Sequence, residues 1–301
     1  MRKPNLIIAG VNKSGTTSLF SYLSQHPDIC AASIKETCYF LPVRYKEGDI
    51  PPIGMYLDYF KHCEGQKYVM ESTPGYYYGG YELANAIKTH IGDVRIILIF
   101  RDPVDRCFSF YKSMKNLMKL AKDVSFEDYV LECEKIDPED LKKLKYNVYT
   151  GIMGGFYSDY LDGWFDVFGD SVKVIFFDDL RKNSTALLDD ICSWLAIDGD
   201  TLYSLKKGVE NKSISFRSHG FHKTALSMNK KAEKFFRRNV RFKSIVRRIY
   251  YSLNGLPPEE TIPPGLYDKL ETVFKPYNRK LARKLLDRGC RDLPSWVSPG
   301  P

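Results

Sequence analysis

Lys13 stands inside a run of small residues, Gly10-Val11-Asn12-Lys13-Ser14-Gly15-Thr16-Thr17-Ser18, between an apolar stretch and a segment of helical periodicity. Hydroxyls, a lysine and a tight turn bracketed by Gly10 and Gly15, placed just ahead of a helix, suit the binding of an anion. The helix start offers free backbone N–H groups and the positive end of its dipole to a phosphate or sulfate. The two glycines have the separation of the nucleotide triphosphatase loop G-x-x-x-x-G-K-[ST], but Thr16 occupies the position where the lysine should follow. The lysine has moved inside the loop, so the Lys-Ser/Thr pair that clamps a nucleotide and its magnesium is missing. Arg101 is the second anchor. It ends the apolar run 94–100, where a guanidinium can grip a phosphate through two parallel hydrogen bonds. Ser109 follows inside the next helical segment, on a face able to turn back towards that strand end.

The elements that must position these side chains are legible from periodicity. Leu6-Ile7-Ile8-Ala9 and residues 94–100, apolar but for Arg95, have the branching and apolarity of buried parallel strands. Leu19, Phe20, Tyr22 and Leu23 mark one face of the first helix. Asp102 and Pro103 read as the N-cap and first turn of a helix running past residue 118. Residues 29–34, 68–72 and 172–177 are further strand candidates, and residues 81–89, 185–195 and 266–286 helix candidates. Residues 42–54, rich in proline and glycine, are expected to form a loop, and residues 119–145 a helical stretch with one exposed face. Strands alternating with helices predict an α/β fold around a central parallel sheet flanked by helices, with ligands at the carboxyl ends of the strands.

Composition bounds the class. The 301 residues are 44% hydrophobic and 14% aromatic, enough for a sizeable core. No stretch reaches the roughly 20 apolar residues of a membrane span. Met1-Arg2-Lys3-Pro4 leads directly into the first strand, which predicts no signal peptide. Seven scattered cysteines without C-x-x-C spacing are expected to be reduced, with no zinc site, in a cytoplasmic protein; an excised luminal domain of a membrane-anchored enzyme is the alternative. The net charge of +8 is local. Residues 223–248 hold ten basic side chains against one acid, Glu233, a net +9 that leaves the remainder at −1. That stretch reads as a solvated helical face or as a guide for an anionic acceptor or a peripheral membrane surface. No nucleic-acid-binding fold accompanies it.

The loop Lys13-Ser14-Gly15-Thr16-Thr17-Ser18 after a strand resembles the 5′-phosphosulfate loop of sulfotransferases that use PAPS (3′-phosphoadenosine 5′-phosphosulfate). The run Arg101-Asp102-Pro103-x-x-Arg106-x-x-Ser109-x-Tyr111 resembles their 3′-phosphate motif. The resemblance extends along nearly the whole chain. Lys35-Glu36-x-x-Tyr39-Phe40 and Glu71-Ser72-Thr73-Pro74-Gly75-Tyr76 are similar to segments of the heparan-sulfate-type enzymes and their bacterial relatives. So are residues 174–181, Asn211-Lys212-Ser213-x-x-x-Arg217, and the ending from Asn278 to Trp296.

This resemblance implies the P-loop-kinase-like three-layer sulfotransferase fold over one domain spanning residues 1–301, with a less regular, basic cap at 211–264 and a final helix and tail at 265–301. It implies transfer of a sulfuryl group from PAPS to a hydroxyl, less readily an amine, of a glycan, glycolipid or small natural product, releasing PAP without a required metal. Lys13 would stabilise the departing bridge oxygen. Lys13, Ser14, Gly15, Thr16, Thr17 and Ser18 would bind the 5′-phosphosulfate. Arg101 and Ser109 would take the 3′-phosphate, and Lys212, Ser213 and Arg217 would close the nucleotide site. The resemblance places the acceptor-activating base at Glu36. Glu71 and the histidines 26, 62, 219 and 222 are the other candidates. Ser72 departs from the heparan-sulfate-type enzymes, where lysine is frequent at that position and assists catalysis. A small-molecule or nucleotide kinase, and a non-catalytic nucleotide-binding module with a basic partner face, are the competing readings.

Overall fold

The computed structural model describes residues 2–200, 215–231, 246, 249–256 and 260–297. Five parallel strands form one sheet: β1 (Leu6–Gly10), β2 (Ile29–Ala31), β3 (Tyr68–Ser72), β4 (Arg95–Phe100) and β5 (Val172–Phe176), in the order β2-β3-β1-β4-β5. β1 lies in the middle, with Leu6 opposite Met70 on one side and Arg95 on the other. All five of its residues are buried, as expected of a strand covered on both faces. Its alternate side chains feed two cores. Leu6 and Ile8 meet α1 (Thr16–Leu23) and α10 (Ser184–Leu195), whose inward residues include Leu19, Leu23, Leu188 and Ile191. Ile7 and Ala9 join the opposite cluster with α4 (Gly80–Ile91) and α8 (Ser158–Phe168), through Leu83, Ile87, Leu161 and Trp164. The result is the expected three-layer α/β arrangement.

The chain leaves β1 towards β2 at one edge and leaves β4 towards β5 at the other. The loops after β1 and β4 therefore diverge, and the crevice between them is where open α/β sheets bind ligands. A third apolar cluster steadies the β4 side. It joins α5 (Pro103–Asn116), α6 (Phe126–Lys135) and the first half of α11 (Pro264–Asp287), through Phe110, Tyr111, Phe126, Leu270 and Phe274.

Three expectations are corrected. Residues 119–145 are not one helical stretch. Ser125 and Asp128 form a capping box that starts α6 afresh, Ile136 is extended, and Pro138 opens the one-turn α7 (Pro138–Leu141). Residues 42–54 are not all loop, because α2 (Leu41–Tyr45) carries Pro42 in its first turn and α3 (Ile53–Leu57) begins at the far end. The cysteines are not all reduced: Cys30 on β2 and Cys63 form a disulfide. Cys38, Cys107, Cys133, Cys192 and Cys290 lie outside any disulfide. Most of the basic stretch 223–248 lies outside the described residues. Among the described residues no helix is long and apolar enough to cross a membrane.

Candidate active site

The β1–α1 loop is built around two left-handed residues. Lys13 has φ 71° and Gly15, the N-cap of α1, has φ 90°. A β-carbon at Gly15 would come within 2.8 Å of the Phe177 ring and 2.9 Å of Leu180, so glycine is required by conformation and by space. Phe177 and Leu180 belong to α9 (Phe177–Lys182), which packs directly against the loop. No side chain caps α1 and no acid occupies its first turn, which leaves the N-terminal N–H groups and the dipole facing outwards.

Arg101 follows β4. Its Nη1 donates to the Lys13 carbonyl at 3.3 Å and its Nη2 to Asp105 Oδ2 at 3.3 Å, while its guanidinium lies 4.8 Å from the Phe177 ring centre. Tyr157 donates its hydroxyl to the Arg101 carbonyl at 2.8 Å and stacks on Phe100. It is a wholly buried brace for the strand end. Asp102 caps α5 by accepting from the N–H groups of Val104 and Asp105 at 2.9 and 3.0 Å. Arg106, also within the recognised run, is buried and donates to the Gly151 carbonyl, so it joins α5 to the segment before α8. Burial lowers the pKa of Lys13, and the positive charge of Arg101 lowers it further. No carboxylate lies in ion-pair range of Lys13 among the described residues. Two buried polar atoms here, Ser14 Oγ and Arg101 Nε, have no hydrogen-bond partner among the described residues. Of the two residues only Arg101 lines the cavity, where an orphaned donor suits an anionic ligand.

Glu36 comes from the connection after β2. It has φ 66°, donates its backbone N–H to the Ser72 carbonyl at 2.9 Å, and pairs through Oε1 with Lys35 Nζ at 2.7 Å. Its side chain is 53% exposed, whereas that of Lys35 is 17% exposed. The acid is presented to solvent by a lysine that is tucked underneath.

One cavity of about 450 Å³ collects these groups. Lys13, residues 15–18, Glu36, Arg101 and Ser109 all line it. Ser14 is buried behind the loop and does not line it. Ser109 and Ser113, one turn apart on α5, both face it. Arg217 is exposed, donates its backbone N–H to the Asn254 carbonyl, and is absent from the lining; Lys212 and Ser213 lie outside the described residues. His26 bonds the Asp198 carbonyl, His62 the Ala31 carbonyl, and His222 the Asn116 carbonyl. None of these three histidines lines the cavity, and the side chain of His219 lies outside the described residues. Glu71 is wholly buried and does not reach it either.

Sequence reasoning missed several lining groups, notably Arg44, Cys38, Thr73, Lys119 and Asn147. The Arg44 guanidinium lies 4.7 Å from the ring centres of both Tyr45 and Tyr78 and donates to the Gly75 carbonyl at 3.2 Å. Tyr45 in turn donates to Asn147 Oδ1 at 3.1 Å. Arg44 sits in a stretch with no readable period, so nothing local in the sequence pointed to it. Lys13, Arg44, Arg101 and Lys119 face a single carboxylate, Glu36, in the lining. Among the described residues the cavity thus suits a strongly anionic ligand and offers one carboxylate as a proton acceptor.

A family model described as "Sulfotransferase domain" matches residues 3–244. Among curated relatives, the "Membrane-associated sulfotransferase kil1" of Dictyostelium discoideum is 35% identical over 133 residues, covering 43% of this chain and 28% of its own length. The human "Bifunctional heparan sulfate N-deacetylase/N-sulfotransferase 3" is 24% identical across 98% of this chain and 31% of its own length. The mouse "Heparan sulfate glucosamine 3-O-sulfotransferase 6" is 26% identical across 93% of this chain and 71% of its own length. The chain thus spans less than a third of the first two of these relatives. Among solved structures, a sulfotransferase from Alicyclobacillus acidocaldarius shares the fold, with a TM-score of 0.69, 22% identity, and coverage of 99% of this chain and 100% of its own.

Proposed function

Because the chain belongs to the sulfotransferase-domain family, we propose that it transfers a sulfuryl group from PAPS to an acceptor hydroxyl and releases PAP. The observation that carries this reading is the single cavity shared by Lys13, the open N-terminus of α1, Arg101 with Ser109, and Glu36. PAPS supplies the activated sulfur. The chain's own groups hold and polarise it. The α1 N-terminus and the hydroxyls of residues 16–18 receive the phosphosulfate, and Arg101 and Ser109 receive the 3′-phosphate. The acceptor oxygen forms the new bond to sulfur as the bond from sulfur to the phosphate oxygen breaks. Lys13 meets the charge that develops on that departing oxygen, and Glu36 takes the acceptor's proton. Exposure of Glu36 towards the cavity, away from any histidine candidate described, supports its choice as base.

The acceptor class remains the broad one: a hydroxyl-bearing glycan, glycolipid or small natural product. The basic residues of 223–248 supply a second, peripheral contact with an anionic surface. The chain's similarity to the membrane-associated sulfotransferase kil1 of Dictyostelium discoideum supports this contact. The Cys30–Cys63 disulfide favours an oxidising compartment over the cytoplasm. Lys212, Ser213 and Arg217 are assigned to nucleotide closure on the resemblance alone.

Calorimetry with PAP in the absence of magnesium tests the proposal. Micromolar-range binding, with ATP–magnesium bound more weakly, is expected. Preference for ATP–magnesium would replace the proposal with a kinase.

A further inference from the structure

Glu71 has no place in the transfer as described, yet it is the most heavily engaged acid near the cavity. It lies at the end of β3 with no exposed surface. Its partners are all hydroxyls: Oε1 accepts from Thr37 Oγ1 and Thr73 Oγ1, each at 2.6 Å, and Oε2 accepts from Tyr56 OH at 2.5 Å. No cation pairs with it among the described residues. Burial raises its pKa, and the hydroxyl donors oppose that rise. A buried carboxylate served by three neutral donors from three different segments is costly to build and works as a junction.

The junction lies beneath the candidate base. Thr37 sits between Glu36, with φ 66°, and Cys38, with φ 59°. Two left-handed non-glycine residues flanking one position are a conformation the chain does not hold unaided. Thr37 is held by Glu71 and lies 3.3 Å from the Tyr76 hydroxyl, which also accepts from the Phe40 N–H at 3.3 Å. Thr73 links the same carboxylate to the Cys38 N–H at 3.3 Å and lines the cavity. The Glu36 side chain itself is held only by the neighbouring Lys35 among the described contacts. Its direction is therefore set by the backbone of residues 36–38, which Glu71 holds through Thr37 and Thr73.

We propose that Glu71 is a positioning residue that locks the 36–38 turn and so aims Glu36 into the cavity. The proposal rests on Glu36 being the base. Cys38 provides a readout independent of chemistry, because it is an exposed cysteine outside the disulfide and lines the same cavity.

The test uses the full chain carrying Thr37→Val, Thr37→Ser or Glu71→Gln. It measures Cys38 labelling by a water-soluble maleimide, with the site confirmed by peptide mass, together with PAP affinity, thermal midpoint and PAPS turnover. Loss of one hydrogen bond to a charged group predicts a change of about tenfold or more in Cys38 labelling and kcat for Thr37→Val. PAP affinity should stay near the parent's, the midpoint should fall by no more than about a few degrees, and Thr37→Ser should restore both labelling and kcat. Unchanged labelling and kcat in Thr37→Val would overturn the proposal. So would a parallel loss of PAP affinity and midpoint, which marks a purely structural role. If Glu71→Gln fails to fold, Thr37→Val still decides. Should Glu36→Gln retain full turnover, the choice of base fails, while the labelling rates still show separately whether Glu71 sets the turn.

Discussion

The cavity's two halves are made by different means. The donor half rests on strand ends and a helix end: the β1–α1 loop, Arg101 after β4, and Ser109 on α5. Its key groups are fixed by the sheet and by α9 packed against Gly15. The acceptor half, residues 33–46, has the short α2 as its regular element and is otherwise turn and extended chain. Glu36, Cys38 and Lys46 all adopt positive φ without being glycine, and a buried carboxylate with its hydroxyls holds the turn. A preformed anion site can be built from backbone and topology alone, whereas a base that must suit a particular acceptor is mounted on a side-chain network that can be re-cut without disturbing the sheet.

If the halves are separable, Glu36→Gln should lower turnover by roughly 10²–10⁴-fold, the worth of a general base, while PAP affinity measured by calorimetry stays unchanged. A parallel fall in PAP affinity would break the division. Next in size, Arg101→Ala should weaken PAP by about 10–100-fold through loss of charge-assisted hydrogen bonds. Arg44→Ala, in the acceptor half, should leave PAP affinity within about twofold, as for a site that acts independently of the donor groups, because its guanidinium is engaged by Tyr45, Tyr78 and the Gly75 carbonyl. Equal effects would place the nucleotide over both halves.

Gly15→Ala should cost about 1–3 kcal/mol of stability in a denaturant melt, because a methyl would overpack against Phe177 and Leu180. PAP affinity should fall with it. The smallest effect concerns pH. Lys13 binds phosphate only when protonated, and burial and Arg101 lower its pKa. PAP affinity should be full below that lowered pKa and decline as pH rises through it, earlier than for an ordinary lysine. Lys13→Arg should flatten this alkaline limb.

The donor half was legible because its signals are local. An apolar run, Gly10 and Gly15 around a lysine, and hydroxyls before a helical period occupy consecutive positions. Arg101-Asp102-Pro103 likewise announces a strand end and a capped helix, and Asp102 caps α5 as expected. Glu36 was reached only through family resemblance, since an acid beside a lysine has no distinctive spacing. Glu71, Tyr56 and Thr37 meet across 15 and 34 positions, and Arg44 is placed by Tyr78 and Gly75. Such meetings depend on the pairing of β2 with β3. The Cys30–Cys63 bond was misread for the same reason, because its partners are separated by 33 residues and brought together by that sheet edge. The long helix expected over 119–145 failed because polar alternation looks alike on either side of a capping box.

That disulfide closes a covalent ring, and the ring contains Glu36, Thr37, Cys38, Arg44 and Tyr56. Residues 46–49, within it, are exposed, and Lys46 offers a trypsin site there. A protease that cuts at this point opens the ring without parting the chain. The nicked protein would run as one species until a reductant is added and as two fragments afterwards. The whole acceptor half is thus clasped as well as folded, and can survive a break in its own backbone.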